Sequence, residues 1–263
     1  MPDPQIRLAD LPTAHVLGVK ISAITLDDLL NAITQIVRRN ARARISTMNI
    51  HGVNLACESP DYRALVNQCE LVVCDGFGLK WGARLLGARL PERLTQADFA
   101  PRLAARAARE GFSLFFLGGG PGVAEKAAHK MRERFPNLKI AGTQHGHFDL
   151  APQSAENAAV LRAINAARPN FLFVGLGMPR QDRWLIENWD RLAVNVAMTC
   201  GALFTYLSGE NPRGPRWMTQ HGLEWLFRLM VEPRRLWRRY LLGNPLFLWR
   251  VLQQRLGRRR FEG

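Results

Sequence analysis

Three times in this chain an apolar run of strand length ends in a glycine-containing turn and gives way to a helical pattern: LVVCDGFGLKW (71–81), LFFLGGGPGVAEKAA (114–128) and FLFVGLGMPRQDRWL (171–185). Runs that are apolar without alternation are buried on both faces, as strands of a parallel sheet covered by helices are. Further β-rich runs near 15–21, 43–48, 138–141 and 193–197 join those near 70–74, 113–117 and 170–174. Helical patterns near 26–39, 50–67, 77–87, 97–110, 121–134, 154–167 and 179–188 alternate with them. The expectation is an α/β fold, a Rossmann-like and mostly parallel sheet flanked by helices.

The charge divides the chain. Lys+Arg 36 against Asp+Glu 22 gives a formal +14. Residues 210–263 hold twelve Arg, no Lys and four Glu, a net of +8 that leaves +6 for the first 209. Four of the seven Trp (Trp217, Trp225, Trp237, Trp249) lie in the same tail. This predicts an α/β catalytic body over 1–209 and an Arg- and Trp-rich helical appendage over 210–263, punctuated by Pro212, Pro215, Pro233 and Pro245. Near its end Leu248, Trp249, Leu252 and Leu256 share one helix face, with Arg250, Gln253 and Gln254 on the other. Such a tail suits an acidic target: an anionic membrane surface, a phosphorylated substrate or a nucleic acid. Its apolar faces favour the membrane.

No run approaches the roughly 18–20 apolar residues that span a bilayer. The start MPDPQIRLADLPTAH has no secretory pattern, so the chain is expected in the cytoplasm, peripherally attached to the inner face of the cell membrane. Cys57, Cys69, Cys74 and Cys200 form no CxxC pair and read as buried free thiols.

In a parallel α/β sheet, ligands meet the loops at the carboxyl ends of the strands. Gly118, Gly119 and Gly120 open one such loop, where backbone N–H groups and a helix N-terminus suit a phosphate, although a tight βα turn needs the same residues. The third glycine of a GxGxxG fingerprint would fall at Val123, and no GxxxxGK[ST] occurs, which weakens a nucleotide-binding oxidoreductase or a P-loop ATPase. Gly175 and Gly177 open a second loop, which carries Gln181, able to orient a sugar hydroxyl or a base edge. Asp75 ends a third strand, as a turn residue or as a general base. Thr47 and Asn49 end a fourth, and Arg93 precedes Asp98 as a phosphate ligand or an ion-pair partner. HxH at His145–His147 stands alone and there is no Asp-x-Asp, so neither metal nor cofactor is expected.

Taken in order, TMN (47–49), CDGFG (74–78), ERLTQAD (92–98), FLGGGPGV (116–123), GLGMPRQDRW (175–184), GALFTYLSG (201–209) and RGPRWMTQHGLEWLFRLMVEPRRLWRRY (213–240) resemble the TagA/WecG/CpsF family of bacterial glycosyltransferases, over about 15–242. The resemblance implies a metal-independent, inverting transfer of a sugar from a UDP-sugar to a sugar carried on undecaprenyl diphosphate, in cell-surface polysaccharide synthesis. It implies Asp75 as catalytic base with Thr47 and Asn49 beside it, Gln181 as a catalytic or substrate-holding residue, and Arg93 before Asp98 at the substrate. It further implies Arg228, Arg235 and Arg238 at the substrates' diphosphate. Met48, Gln96 and Asp182 stand where Pro, Gly and Glu are common, which leaves the donor open among UDP-N-acetylmannosamine, its uronic acid and UDP-glucose. Oligomeric state, including a homo-oligomer, stays open as well.

Overall fold

The computed structural model describes residues 8–258 and Phe261. In chain order its elements are β1 (Thr13–Val16), β2 (Val19–Ser22), α1 (Leu26–Arg38), β3 (Ala43–Met48), α2 (Ile50–Glu58), α3 (Pro60–Asn67), β4 (Leu71–Cys74), α4 (Phe77–Leu85) and α5 (Gln96–Glu110). There follow β5 (Ser113–Gly118), α6 (Val123–Arg134), β6 (Lys139–Gln144), α7 (Ala155–Ala167), β7 (Phe171–Gly175), α8 (Arg180–Glu187), β8 (Val196–Thr199) and α9 (Leu203–Leu207). The last part contains α10 (Arg216–Gln220), α11 (Glu224–Val231), α12 (Pro233–Trp237), a π-helical turn Arg238–Leu242 and α13 (Gly243–Arg255).

Six strands form one sheet in the order β4-β3-β8-β7-β5-β6, and every pairing in it is parallel. The expected α/β sandwich is therefore observed. Its strands carry apolar side chains on both faces because both faces are covered. Leu114 and Phe116 of β5, with Phe171 and Phe173 of β7, pack under α1, α5 and α6. Their neighbours Phe115, Leu117, Leu172 and Val174 pack with α7 and α8 on the opposite face. Phe99, Phe116, Phe171, Phe173 and Phe204 pack ring to ring on the first face at centroid distances of 4.6–6.4 Å.

Two expectations fail locally, each for a backbone reason. The run 15–21 is not one strand: Leu17 (φ 51) and Gly18 (φ 79) reverse the chain, giving the antiparallel hairpin β1–β2. Two consecutive left-handed residues make the tight turn that suits a twisted hairpin. The helix expected over 50–67 breaks at Ser59 (φ −127, ψ 102), since a residue before proline avoids the helical region. The Ser59 hydroxyl accepts from the Tyr62 N–H and restarts the chain as α3.

The end of the chain packs onto the body. Phe247 and Val251 of α13 share a core cluster with Val53, Leu79 and Ala83. Arg250 donates to the Asn54 carbonyl at 3.1 Å, the Asn54 side-chain oxygen at 2.9 Å and Glu58 at 2.9 Å. The Gln254 side-chain oxygen accepts from the Leu17 N–H at 3.0 Å. The predicted division of faces on α13 is thus present, but Arg250 and Gln254 turn inward. Leu248, Trp249, Leu252 and Leu256 are 44–65% exposed.

Gly82 lets α13 approach α4. A Cβ built there would lie 2.5 Å from the Phe247 ring. Gly82→Ala should therefore destabilise the protein by about 1–3 kcal/mol with unchanged far-UV circular dichroism, as overpacking does. Trimming the ring in Gly82→Ala/Phe247→Leu should recover part of that loss relative to the sum of the single variants, measured by urea unfolding.

Candidate functional site

Parallel strands bring their carboxyl ends to one edge of the sheet, and there a cavity of about 1060 Å³ opens between the body and residues 222–248. Of the residues singled out from sequence, Thr47, Asn49, Asp75, Arg93, Gly119, Gly120, Gly175, Gly177, Gln181, Arg228, Arg235 and Arg238 line it. Gly118 and Asp98 do not. Gly118 (φ +140) sits behind the wall, where a Cβ would collide with the Gly175 carbonyl oxygen, so it keeps the ends of β5 and β7 in contact.

Asp75 follows β4, its N–H donating to the Met48 carbonyl at 2.7 Å. Burial pushes its carboxyl up to about 6, and the Glu224 carboxylate adds to that, while Arg228, Arg93 and Arg239 pull it down. An acid of this strength gives up its proton at neutral pH and holds enough basicity to take one from a substrate hydroxyl. Glu224 and Arg239, both lining the cavity, were not singled out from the sequence.

The polar groups at the ends of β3 and β8 are tied together. The Thr47 hydroxyl donates to the Thr199 carbonyl at 2.6 Å and accepts from the Gln96 amide at 3.0 Å. The Thr199 hydroxyl accepts from the Thr47 N–H at 2.9 Å. The Asn49 side-chain oxygen caps α2, accepting from the N–H groups of His51 and Gly52, which leaves its amide nitrogen to address a ligand. Gln181 is fully buried, with its oxygen accepting from the N–H groups of Gly177 (3.2 Å) and Gly201 (3.0 Å). The next residue anchors this helix start: Asp182 accepts from Ser46 at 2.7 Å and Tyr62 at 2.8 Å. Burial pushes the Asp182 carboxyl up to about 6 against the pull of those hydrogen bonds.

Arg93 is committed to ion pairs. It bonds Glu224 at 3.1 Å and Asp98 at 3.2 Å and lies over the Phe77 ring at 4.8 Å. Asp98 also holds Arg213 at 2.7 Å, so the two residues clamp the end of the chain to the body. The arginines of that end differ among themselves. Arg228 lies over Tyr206 and Arg239 over Tyr240, each at 5.7 Å, and each has a buried Nε without a hydrogen-bond partner. Arg235 is exposed and paired with Glu232 at 3.0 Å, and Arg238 stacks on Trp237 at 5.2 Å. The resemblance implies Arg238 and not Arg239, and both lie in the π-helical turn that ends RRLWRRYLL, where the helical phase shifts. His51, also in the wall, is pushed down to about 4 by burial and by Arg239, so it is neutral at pH 7.

His147 reaches the wall without metal-ligating company: among the described residues no group of three or more His, Cys, Asp or Glu could hold a metal ion. All four cysteines are buried, and Cys69, Cys74 and Cys200 are free thiols. Arg228, Arg235, Arg238 and Arg239 bring positive charge to the same wall.

The model of the family described as "Glycosyl transferase WecG/TagA/CpsF family" matches residues 14–261. Relatives from Staphylococcus aureus strains NCTC 8325 / PS 47, COL and MW2 are 26% identical over 238 residues, covering 90% of this chain and 91% of theirs. Each is named N-acetylglucosaminyldiphosphoundecaprenol N-acetyl-beta-D-mannosaminyltransferase. The match takes in every loop that lines the cavity, and the chain belongs to the WecG/TagA/CpsF family of glycosyl transferases.

Proposed function

We propose that this glycosyltransferase moves a sugar from a UDP-sugar to a sugar carried on undecaprenyl diphosphate, the acceptor class in the names of its relatives. One observation carries the reading: a carboxylate at a strand end, Asp75, shares a cavity with the half-buried guanidiniums of Arg228 and Arg239 from the far end of the chain. A base and a cationic diphosphate site are the two parts that inverting transfer requires. Membership of a glycosyl transferase family displaces the oxidoreductase and nucleic-acid readings.

In this mechanism Asp75 takes the proton of an acceptor hydroxyl. The freed oxygen attacks the anomeric carbon from the face opposite the nucleotide, the bond from that carbon to the diphosphate oxygen breaks, and UDP leaves. Arg228 and Arg239 meet the charge that develops on the leaving diphosphate, with Arg235 and Arg238 at the cavity rim. Arg93 orders the roof through Glu224 rather than meeting the diphosphate. No resident metal enters the scheme.

The membrane surface is read from exposure. Among the described residues, the exposed large apolar side chains are Trp81 and Leu85 of α4 and a set confined to 217–256, including Met230, Leu241, Leu242 and Trp249. Their concentration beside the arginine-rich stretch marks an interaction site, and an anionic lipid surface matches both its apolar and its basic character. No helix among the described residues is long and apolar enough to cross a membrane. We place the protein peripherally on the inner face, with the cavity toward the lipid-linked acceptor.

Three outcomes test the scheme. First, kcat/KM for transfer should rise as pH passes through about 6 and level off above, as Asp75 ionises. Asp75→Asn should lower kcat by about 10²–10⁴-fold with UDP affinity retained. Because burial raises this carboxyl, its contribution to stability is present at low pH and lost as pH rises through about 6, at a cost of order 3 kcal/mol. The same variant should therefore raise the melting temperature at pH 8 and not at pH 4. Second, Arg239→Ala should weaken UDP binding and transfer together, and EDTA should leave the wild-type rate unchanged. Third, Trp249→Glu/Leu252→Glu should abolish cosedimentation with anionic liposomes at an unchanged melting temperature, and retained sedimentation would remove α13 from the lipid surface.

A further inference from the structure

Asp75 and Arg93 flank one backbone hydrogen bond, in which the Leu94 N–H donates to the Cys74 carbonyl at 2.7 Å. Both line the cavity. An aspartate and an arginine set side by side in this way are placed to form an ion pair. They do not form one. Among the described residues no hydrogen bond or ion pair reaches the Asp75 carboxylate. The Arg93 guanidinium is drawn elsewhere: one terminal nitrogen bonds Glu224 at 3.1 Å, the other bonds Asp98 at 3.2 Å, and its centre lies over the Phe77 ring at 4.8 Å.

The two acids that hold Arg93 are unequal. The Asp98 side chain is 42% exposed and divides itself between Arg93 and Arg213. The Glu224 side chain is 19% exposed, and among the described residues its one ion pair is with Arg93. Screening by water weakens the first pair more than the second, so Glu224 is the firmer holder. It opens α11, the helix that also brings Arg228 to the cavity. One helix thus adds a guanidinium to the wall and draws another away from Asp75.

We propose that Glu224 is a positioning residue for the base: by binding Arg93 it keeps that guanidinium from pairing with Asp75, and so preserves the carboxylate as a proton acceptor. The inference deepens the function proposed above and rests on Asp75 being its base. A carboxylate paired with an arginine holds a proton poorly, and two of its lone pairs are already engaged. The other groups facing Asp75 do not replace this role. Arg228 of α11 and Arg239 of the π-helical turn lie over Tyr206 and Tyr240. Tyr206 of α9 is pushed up by burial and His51 of α2 is pushed down, so both are neutral at pH 7. Lys80 of α4 donates to the Pro91 carbonyl. Arg93 is the cation that the backbone places next to Asp75, and hence the one that must be restrained.

The test is a carbon-13 NMR titration of the full-length protein labelled at its aspartate carboxyls, the Asp75 signal being the one that Asp75→Asn removes. The wild-type midpoint should lie at about 6. Glu224→Gln should lower it by about one pH unit or more, as an arginine brought against a carboxylate does. The acid limb of kcat/KM for transfer should move with it, a displacement that a merely structural role would not produce. Glu224→Gln/Arg93→Met should bring the midpoint back toward the wild-type value, and Arg93→Met should raise it more in the Glu224→Gln background than in the wild type. An unmoved midpoint in folded Glu224→Gln overturns the inference. Equal effects of Arg93→Met in the two backgrounds also overturn it, since the charge of Glu224 acting alone would be additive. If Glu224→Gln does not fold, Asp98→Asn decides in its place: it should lower the midpoint by less, and no movement overturns the inference. The titration needs no substrate. Full transfer by Asp75→Asn would instead remove the base itself, and the proposed function's mechanism would fall together with this role of Glu224.

Discussion

Asp75 is a half-buried carboxylate in the cavity wall, and what makes its charge tolerable is the set of guanidiniums that the far end of the chain folds over it. Arg228 and Arg239 come from α11 and from the π-helical turn, more than 150 residues away in sequence, and both pull its proton affinity down. Glu224 pulls the other way and is itself held by Arg93, which bonds Asp98, which bonds Arg213. The body supplies the acids nearest the sheet and the tail supplies most of the bases. Neither half contains a complete cavity. The strong asymmetry of charge along the chain is thus the sequence trace of a site assembled from both ends.

How much of this was legible follows from how local each cause is. The strands could be read because a parallel sheet buries both faces, and uninterrupted apolar runs such as FLFV report that directly. The loops could be read because glycine is required where backbones touch, as Gly118 and Gly175 do. The hairpin at Leu17–Gly18 escaped notice because a non-glycine residue adopts the left-handed region there. Arg239 and Glu224 escaped for a different reason: which of several arginines and glutamates faces inward depends on helical phase, and a π-helical turn alters that phase without a signal in the residues. Gln96 was noticed only as a departure from a resembling pattern. Which of its two amide atoms Thr47 engages is a matter of hydrogen-bond direction that composition does not encode.

The last helix inverts an ordinary expectation. In a soluble protein an amphipathic helix turns its apolar stripe to the core. Here Phe247 and Val251 go inward together with Arg250 and Gln254, whose polar ends are met by Asn54, Glu58 and the Leu17 N–H. The price is that Leu248, Trp249, Leu252 and Leu256 face outward. Each would stabilise the fold by about 1.5–3 kcal/mol if buried, so exposing the row forgoes several kcal/mol that a purely soluble design would recover. The proposed lipid contact would give that uncovered row its use.

The same reasoning applies inside the cavity. The raised carboxyl of Asp75, the open Nε atoms of Arg228 and Arg239 and the unused amide atoms of Gln96 and Gln181 are each unfavourable in the empty protein. They persist because the surrounding structure over-determines them: Thr47 and Thr199 fix one amide, two backbone N–H groups fix the other, and stacking on Tyr206 and Tyr240 fixes the guanidiniums. Groups held in this way need no reorganisation when a ligand arrives, which is the condition for electrostatic catalysis rather than mere binding. Under the proposed function the complement they define has an anion opposite the arginines and a hydroxyl proton opposite Asp75. The substrates proposed, a nucleotide diphosphate sugar and a hydroxyl-bearing acceptor, meet both demands.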